Sequence, residues 1–230
     1  MNKMMKHKFI KFINIDKKLY KNLKNLTNKD LAENNIYIKS LDKFVKRCKK
    51  ILDEKNDLSA LIISLYPKNE KISKLSAVYI KRLTEIMSGY AGEILHQNSS
   101  KDKVIEVFDR SRNLSINRGS RYHQTREGGS IHTDNVNIPS YWDYLMFSCL
   151  ASAKAGGESI LVDSKKIHEE LSKNFKEAKK ILEKNFYWEK RGLAEELYKA
   201  PIISYDKMKQ PRFKYLRPYL ESAHVKAKKI

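Results

Sequence analysis

The sequence predicts a single α+β domain spanning 1–230, with helices first and sheet later. Three observations carry this reading. Residues 41–56 and 73–97 place apolar side chains at helical spacing. From about residue 103 the chain becomes polar and glycine-punctuated between short β-branched and aromatic runs. No repeat or low-complexity linker divides the 230 residues, a length that suits one domain with a real core.

The elements follow in chain order. "SLDKFVKRCKKILDEK" puts Leu41, Phe44, Val45, Cys48, Ile51 and Leu52 on one helical face and lysines on the other. "DLSALIISLYP" is short, apolar and closed by Pro67, which predicts a buried strand. The helix over 73–97 runs through Leu75, Val78, Tyr79, Leu83, Ile86, Met87 and Tyr90, with Gly89 and Gly92 interrupting or ending it. Residues 1–100 thus form a mainly helical part with one strand. In 101–230, "KVIEVFD" alternates as a half-buried strand does, and "YWDYLMFSCLA" and "SILVD" predict further strands around a Gly156-Gly157 turn. A helix after Ser164 buries Ile167, Leu171, Phe175, Ala178, Ile181 and Leu182. One or two short strands are expected around Pro201, Pro211 and Pro218.

Composition excludes several classes. At 41% hydrophobic and 10% aromatic residues the chain folds. No apolar run reaches the roughly 18 to 20 residues of a membrane span, and the basic start lacks the apolar core of a secretory signal. A cytoplasmic protein with no membrane partner is expected. Cys48 and Cys149 match no zinc spacing. The net charge of +20 raises the possibility of a nucleic-acid partner, but the lysines are spread along the chain rather than clustered. Solvated faces are the simpler reading, and nucleic-acid binding is not expected.

The chemistry-bearing stretch is "GGSIHTDN", residues 128–135. On an extended segment, side chains two residues apart share a face, so His132 and Asp134 can offer adjacent ligands to one metal ion. Two histidines and one carboxylate on one face of Fe(II) leave the opposite positions open for substrate and dioxygen. Taken alone, a His-x-Asp tripeptide is most often a surface turn. Nearby, Tyr122, Gln124 and Asn135 are candidates to face a substrate cavity, and Arg121 and Arg126 to pair with an anionic substrate. For each of these, satisfaction of local backbone groups is an equal alternative.

The context is larger than the tripeptide. "RYHQTREGGSIHTDNVNIPSYWDYLMFSCLASAKAGGESILVD" (121–163) carries His132-Thr133-Asp134, Pro139, an apolar strand, Gly156-Gly157-Glu158-Ser159 and "ILVD" leading into a helix. In that order and spacing it resembles the Fe(II)- and 2-oxoglutarate-dependent dioxygenases related to taurine dioxygenase and clavaminate synthase. The resemblance is close over 118–171 and looser upstream. It implies a double-stranded β-helix, or jelly-roll, decorated by N-terminal helices. It implies Fe(2+) held by His132 and Asp134, with 2-oxoglutarate as cosubstrate and Ser159 bonding its far carboxylate. The implied reaction takes a small polar substrate and dioxygen and releases succinate and CO2.

The resemblance also calls for a later histidine followed by an arginine. His168 falls on a helix, where packing or surface is its expected role. His224 is better placed along the chain for a third ligand, yet Arg212 and Arg217 precede it and no arginine follows. A C-terminally incomplete jelly-roll, from a truncated or split gene, is therefore expected. The alternatives are an intact member completing its iron shell with His224 and water, a remnant without catalysis, and a basic nucleic-acid-binding protein. Oligomeric state and substrate identity stay open.

Overall fold

The computed structural model describes residues 9–26, 30, 36–54, 58–67, 76–110, 113–116, 120, 122–125, 129–153, 155–191 and 193–228. They fall into two compact units, one of 1–95 with 145–152 and the other of 96–144 with 153–230.

The first unit begins with β1 (Ile10–Asn14), whose "IKFIN" was not anticipated as a strand. It pairs in parallel with β2 (Ala60–Ser64), in register Ile10↔Ala60 to Asn14↔Ser64. A parallel pair needs a long crossover, and the chain between supplies α1 (Lys17–Lys24) and α2 (Lys39–Glu54). Asp16 caps α1 by accepting from the Leu19 N–H at 2.7 Å, and Ser76 caps α3 (Ala77–Ala91) in the same way through Tyr79. Helix α2 buries Leu41, Val45 and Cys48, as its spacing predicts. These pack with Ile15, Leu19, Leu23, Tyr79, Leu83, Ile86 and Met87 into the core, apart from Cys48, which is buried beside it. The Tyr79 hydroxyl donates to the Leu23 carbonyl at 2.5 Å, and burial pushes its pKa up to about 12. Residues 145–152 join this unit through Met146 and a 2.7 Å bond between the Thr84 and Ser148 hydroxyls.

The second unit is built on two antiparallel pairs. β3 (Asn185–Glu189) pairs with β4 (Leu197–Pro201), and β5 (Ile203–Tyr205) with β6 (Pro211–Phe213). Pro201 and Pro211 stand at strand ends, where a missing N–H is tolerated. Ahead of them come α4 (Ser164–Asn174) and α5 (Lys176–Leu182), and after them α6 (Arg217–Ala227), with Pro218 in its first turn. Trp188, Val136, Ile202, Ile203, Leu216 and Tyr219 form the core. The fully buried Trp188 ring donates its N–H to the Ala200 carbonyl at 3.0 Å.

Several expectations are corrected. "KVIEVFD", "YWDYLMFSCLA" and "SILVD" pair with no strand among the described residues, and Phe147 and Ile160 are 70% and 82% exposed. Their composition suits a sheet, but a strand exists only with a ladder partner. Strand β2 is half-buried rather than buried, Ile62 being exposed. Val78 faces solvent on α3, and Leu75 lies outside the described residues. The single helix expected after Ser164 is two, broken at Phe175, and neither contains a buried residue. Around Pro218 there is helix, not strand. Among the described residues the strands pair two by two and close no barrel. No described helix is long and apolar enough to cross a membrane.

Candidate metal centre

His132 and Asp134 lie on a non-helical stretch of the second unit, with Asp134 at a bend and His132 Nε2 3.6 Å from Asp134 Oδ1. His132 Nδ1 is 2.6 Å from the Ser130 carbonyl oxygen. A carbonyl only accepts, so Nδ1 carries the hydrogen and the Nε2 lone pair of the neutral ring is turned toward the carboxylate. A backbone carbonyl fixing the far nitrogen is how metal-ligating histidines are commonly oriented. The His132 pKa is raised, first by the hydrogen bond with Asp134; partial burial opposes this and the Ser130 carbonyl adds to it. A cation between the two groups would take the place of that proton. The side chains are 27% and 53% exposed, so the pair is open to ligands.

Thr133, between the two candidate ligands, is tied down twice. Its N–H donates to the Tyr215 carbonyl at 2.7 Å, and its hydroxyl accepts from the Tyr215 N–H at 2.9 Å. Asn135 follows at φ 53°, a left-handed turn that asparagine tolerates, and accepts from the Ile138 N–H at 3.1 Å. Val136 enters the core, and buried Asn137 donates to the Arg191 carbonyl at 2.8 Å. The motif thus leaves its ligands exposed on a loop whose next two residues are buried.

The other expected site residues are distributed. Gln124 is half-buried in a 3-10 turn, Tyr122–Gln124, and its carbonyl accepts from the Arg110 N–H at 3.1 Å. Tyr122 opens that turn, and its side chain, with Arg121, Arg126 and Gly128, lies outside the described residues. Gly156 and Gly157 make the expected turn at φ 73° and 81°, and a Cβ on Gly157 would come 3.3 Å from the Ala153 Cβ. Ser159 is exposed on the extended segment that follows, and Asp163 caps α4 through the Lys165 N–H. His168 is half-buried on α4, 3.0 Å from the Tyr205 hydroxyl.

His224 sits on α6 with its ring against Phe186 and Tyr187, and Nε2 accepts from the Tyr187 N–H at 3.2 Å. Among the described residues no three His, Cys, Asp or Glu side chains gather at one point. The structure therefore brings His132 and Asp134 together without adding His224, because the packing of α6 on β3 spends its lone pair on backbone. Sequence reasoning missed Tyr215, Lys214 and Tyr198, which bond to Thr133, to the Ile138 and Pro139 carbonyls and to the Val136 carbonyl respectively. Their only signal was polar residues in a β-prone tail.

The order of these features, a His-x-Asp on a non-helical stretch and then a Gly-Gly turn leading into a capped helix, agrees with the match to known families. The model of the family "Taurine catabolism dioxygenase TauD, TfdA family" matches residues 76–227, about two thirds of the chain. The chain belongs to the TauD/TfdA family. For this family member the match opens at Ser76, the cap of α3, and closes at Ala227, the last residue of α6. No curated protein and no solved structure matches it.

Proposed function

We propose that this TauD/TfdA family member is a non-haem Fe(II)- and 2-oxoglutarate-dependent oxygenase acting on a small polar substrate, such as an amino acid or related carboxylate. The observation that carries this is the facing pair of His132 and Asp134, with the His132 tautomer set by Ser130. His132 and Asp134 would hold Fe(II), and Ser159 the far carboxylate of 2-oxoglutarate. When bound, the metal supplies activation of dioxygen coupled to decarboxylation of the cosubstrate. The protein's own part is to orient the imidazole, hold the carboxylate beside it and leave that face open. Gln124, Tyr122 and Asn135 stand on the substrate side in this reading. His224 is left out of the ligand set, since its Nε2 is engaged by Tyr187. The jelly-roll belongs to the same proposal, as does a cytoplasmic setting, which the free thiols of Cys48 and Cys149 suit.

The test is Fe(II) titration under anaerobic conditions, followed by succinate formation from 2-oxoglutarate. Wild type is expected to bind one Fe(II), and His132→Ala to lose at least tenfold in affinity, as does Asp134→Ala. Equal binding by wild type and both variants would remove the reading.

A second reading is favoured by one observation. Leu145, Phe147 and Leu150 in the first unit, and Ile160, Leu161 and Val162 in the second, are apolar, β-prone and exposed. In this reading the chain is part of a split oxygenase, inactive alone, and a complementing polypeptide carrying a His followed by an Arg supplies partner strands and the third ligand. Co-expression with such a piece is expected to raise solubility and permit succinate formation.

A further inference from the structure

Lysine is spread along this chain, and among the described residues one lysine is buried. Lys214, directly after β6, is 3% exposed. Its ammonium donates to the Ile138 carbonyl at 2.6 Å, the Pro139 carbonyl at 3.0 Å and the Tyr198 hydroxyl at 3.1 Å. The rings of Tyr141 and Tyr198 lie 5.0 and 5.1 Å from it. The Tyr198 hydroxyl in turn donates to the Val136 carbonyl. Three donors thus meet two carbonyls and a phenol oxygen, which fills the hydrogen-bonding capacity of the ammonium.

The neighbour of Lys214 completes the arrangement. Tyr215 holds Thr133 by two backbone-derived bonds. Two consecutive residues of one extended segment therefore grip the motif loop on both sides of Asp134, at Thr133 and at 136–139. Burying an ammonium costs free energy that an apolar residue of similar volume would not, so stability alone does not account for a lysine here. A methionine would leave the Ile138 and Pro139 carbonyls without this donor and release the downstream half of the grip.

We propose that Lys214 is a positioning residue for the metal pair, its ammonium fixing the loop through 139 so that His132 and Asp134 face one point. This rests on the metal-site reading above. Lys214 touches neither ligand and acts through backbone carbonyls, so its loss acts on loop order first and on metal affinity second.

The test joins amide hydrogen exchange to anaerobic Fe(II) titration in wild type, Lys214→Met, Lys214→Arg and Tyr198→Phe. In Lys214→Met, exchange over 130–139 is expected to rise at least tenfold while β3 and β4 amides keep wild-type rates. Fe(II) affinity is expected to fall about 10- to 100-fold, the range for residues that orient metal ligands indirectly, with Lys214→Arg in between. An unchanged pattern over 130–139, or an equal rise throughout the second unit, overturns the clamp. If Lys214→Met does not fold, Tyr198→Phe decides: it removes one acceptor and the bond to Val136, so a smaller rise confined to 133–139 supports the clamp and a flat or global one overturns it. Wild type that binds no Fe(II) sinks the metal reading and the clamp's purpose with it. Intact Fe(II) binding in Lys214→Met overturns the clamp alone.

Discussion

Lys214 also has a pH signature of its own. Desolvation draws its pKa down to about 8 from the ordinary 10.5. The unfolded chain, with the higher value, binds more protons between these limits, so this group makes stability rise with pH there. The destabilisation from burying the charge is present below about pH 8 and is relieved as pH climbs toward 10.5. At neutral pH the ammonium persists and keeps its three acceptors. Urea unfolding of wild type and Lys214→Met at pH 7.5 and pH 10 isolates the effect from other titrating groups, Tyr141 and Tyr198 included. Wild type is expected to gain stability relative to the variant on going to pH 10; a gap independent of pH would show that Lys214 titrates normally. None of this was legible beforehand, since nothing in "PRFKYLRP" marks its lysine off from dozens of others. The pair of His132 and Asp134 was legible as a candidate, because its two-residue spacing stands within a longer ordered run of motifs from Pro139 to Ser159.

At the scale of elements, α6 is joined to β3 by a buried ionic network. Glu189, 3% exposed at the end of β3, accepts from Arg191, from the Ser222 hydroxyl at 2.9 Å and from Lys226 at 2.5 Å. Arg191 stacks on Tyr219 at 4.1 Å and donates to the Ile116 and Ser120 carbonyls at 3.1 and 3.3 Å. Burial pushes the Glu189 carboxyl up, and the bonds from Lys226, Arg191 and Ser222 overcome it, leaving the pKa below the ordinary value. A depressed carboxylate stabilises above its unfolded pKa and loses that stabilisation as pH falls through the folded one. Glu189→Gln leaves Arg191 buried without its charge partner and is expected to cost about 3 kcal/mol or more at pH 7. In acid titrations of stability the gap to wild type is expected to narrow as pH falls below about 4.5; a constant gap would contradict the network. Helices α2 and α3 were readable from periodicity, because each buries a stripe of its own residues. The hairpin β3–β4 was not, since "NFYWE" continues a helical pattern and becomes strand only by pairing with "LYKAP".

At the scale of the whole molecule, the family match runs through both units, from Ser76 to Ala227. Of the expected strands, "KVIEVFD", "YWDYLMFSCLA" and "SILVD" are left without ladders among the described residues, and each exposes large apolar side chains, among them Phe108, Phe147 and Ile160. Exposed apolar surface of this kind marks a binding or aggregation surface. The chain alone is expected to enhance the fluorescence of an apolar dye, and co-expression with a complementing piece to suppress it. Dye fluorescence at background for the chain alone would argue against the split reading. The +20 charge favours colloidal solubility and leaves that surface uncovered.

The sequence by itself determined the family, the candidate pair of His132 and Asp134, and helices α2 and α3, because each is written in the local order and spacing of residues. Only the tertiary structure decided which lysine is buried and why His224 stays apart from the pair. Those outcomes turn on partners distant along the chain: Lys214 meets Ile138 across 76 residues, and His224 meets Tyr187 across 37. Burial and hydrogen bonding depend on what folding brings alongside a residue, and no local pattern of apolar and polar positions encodes that.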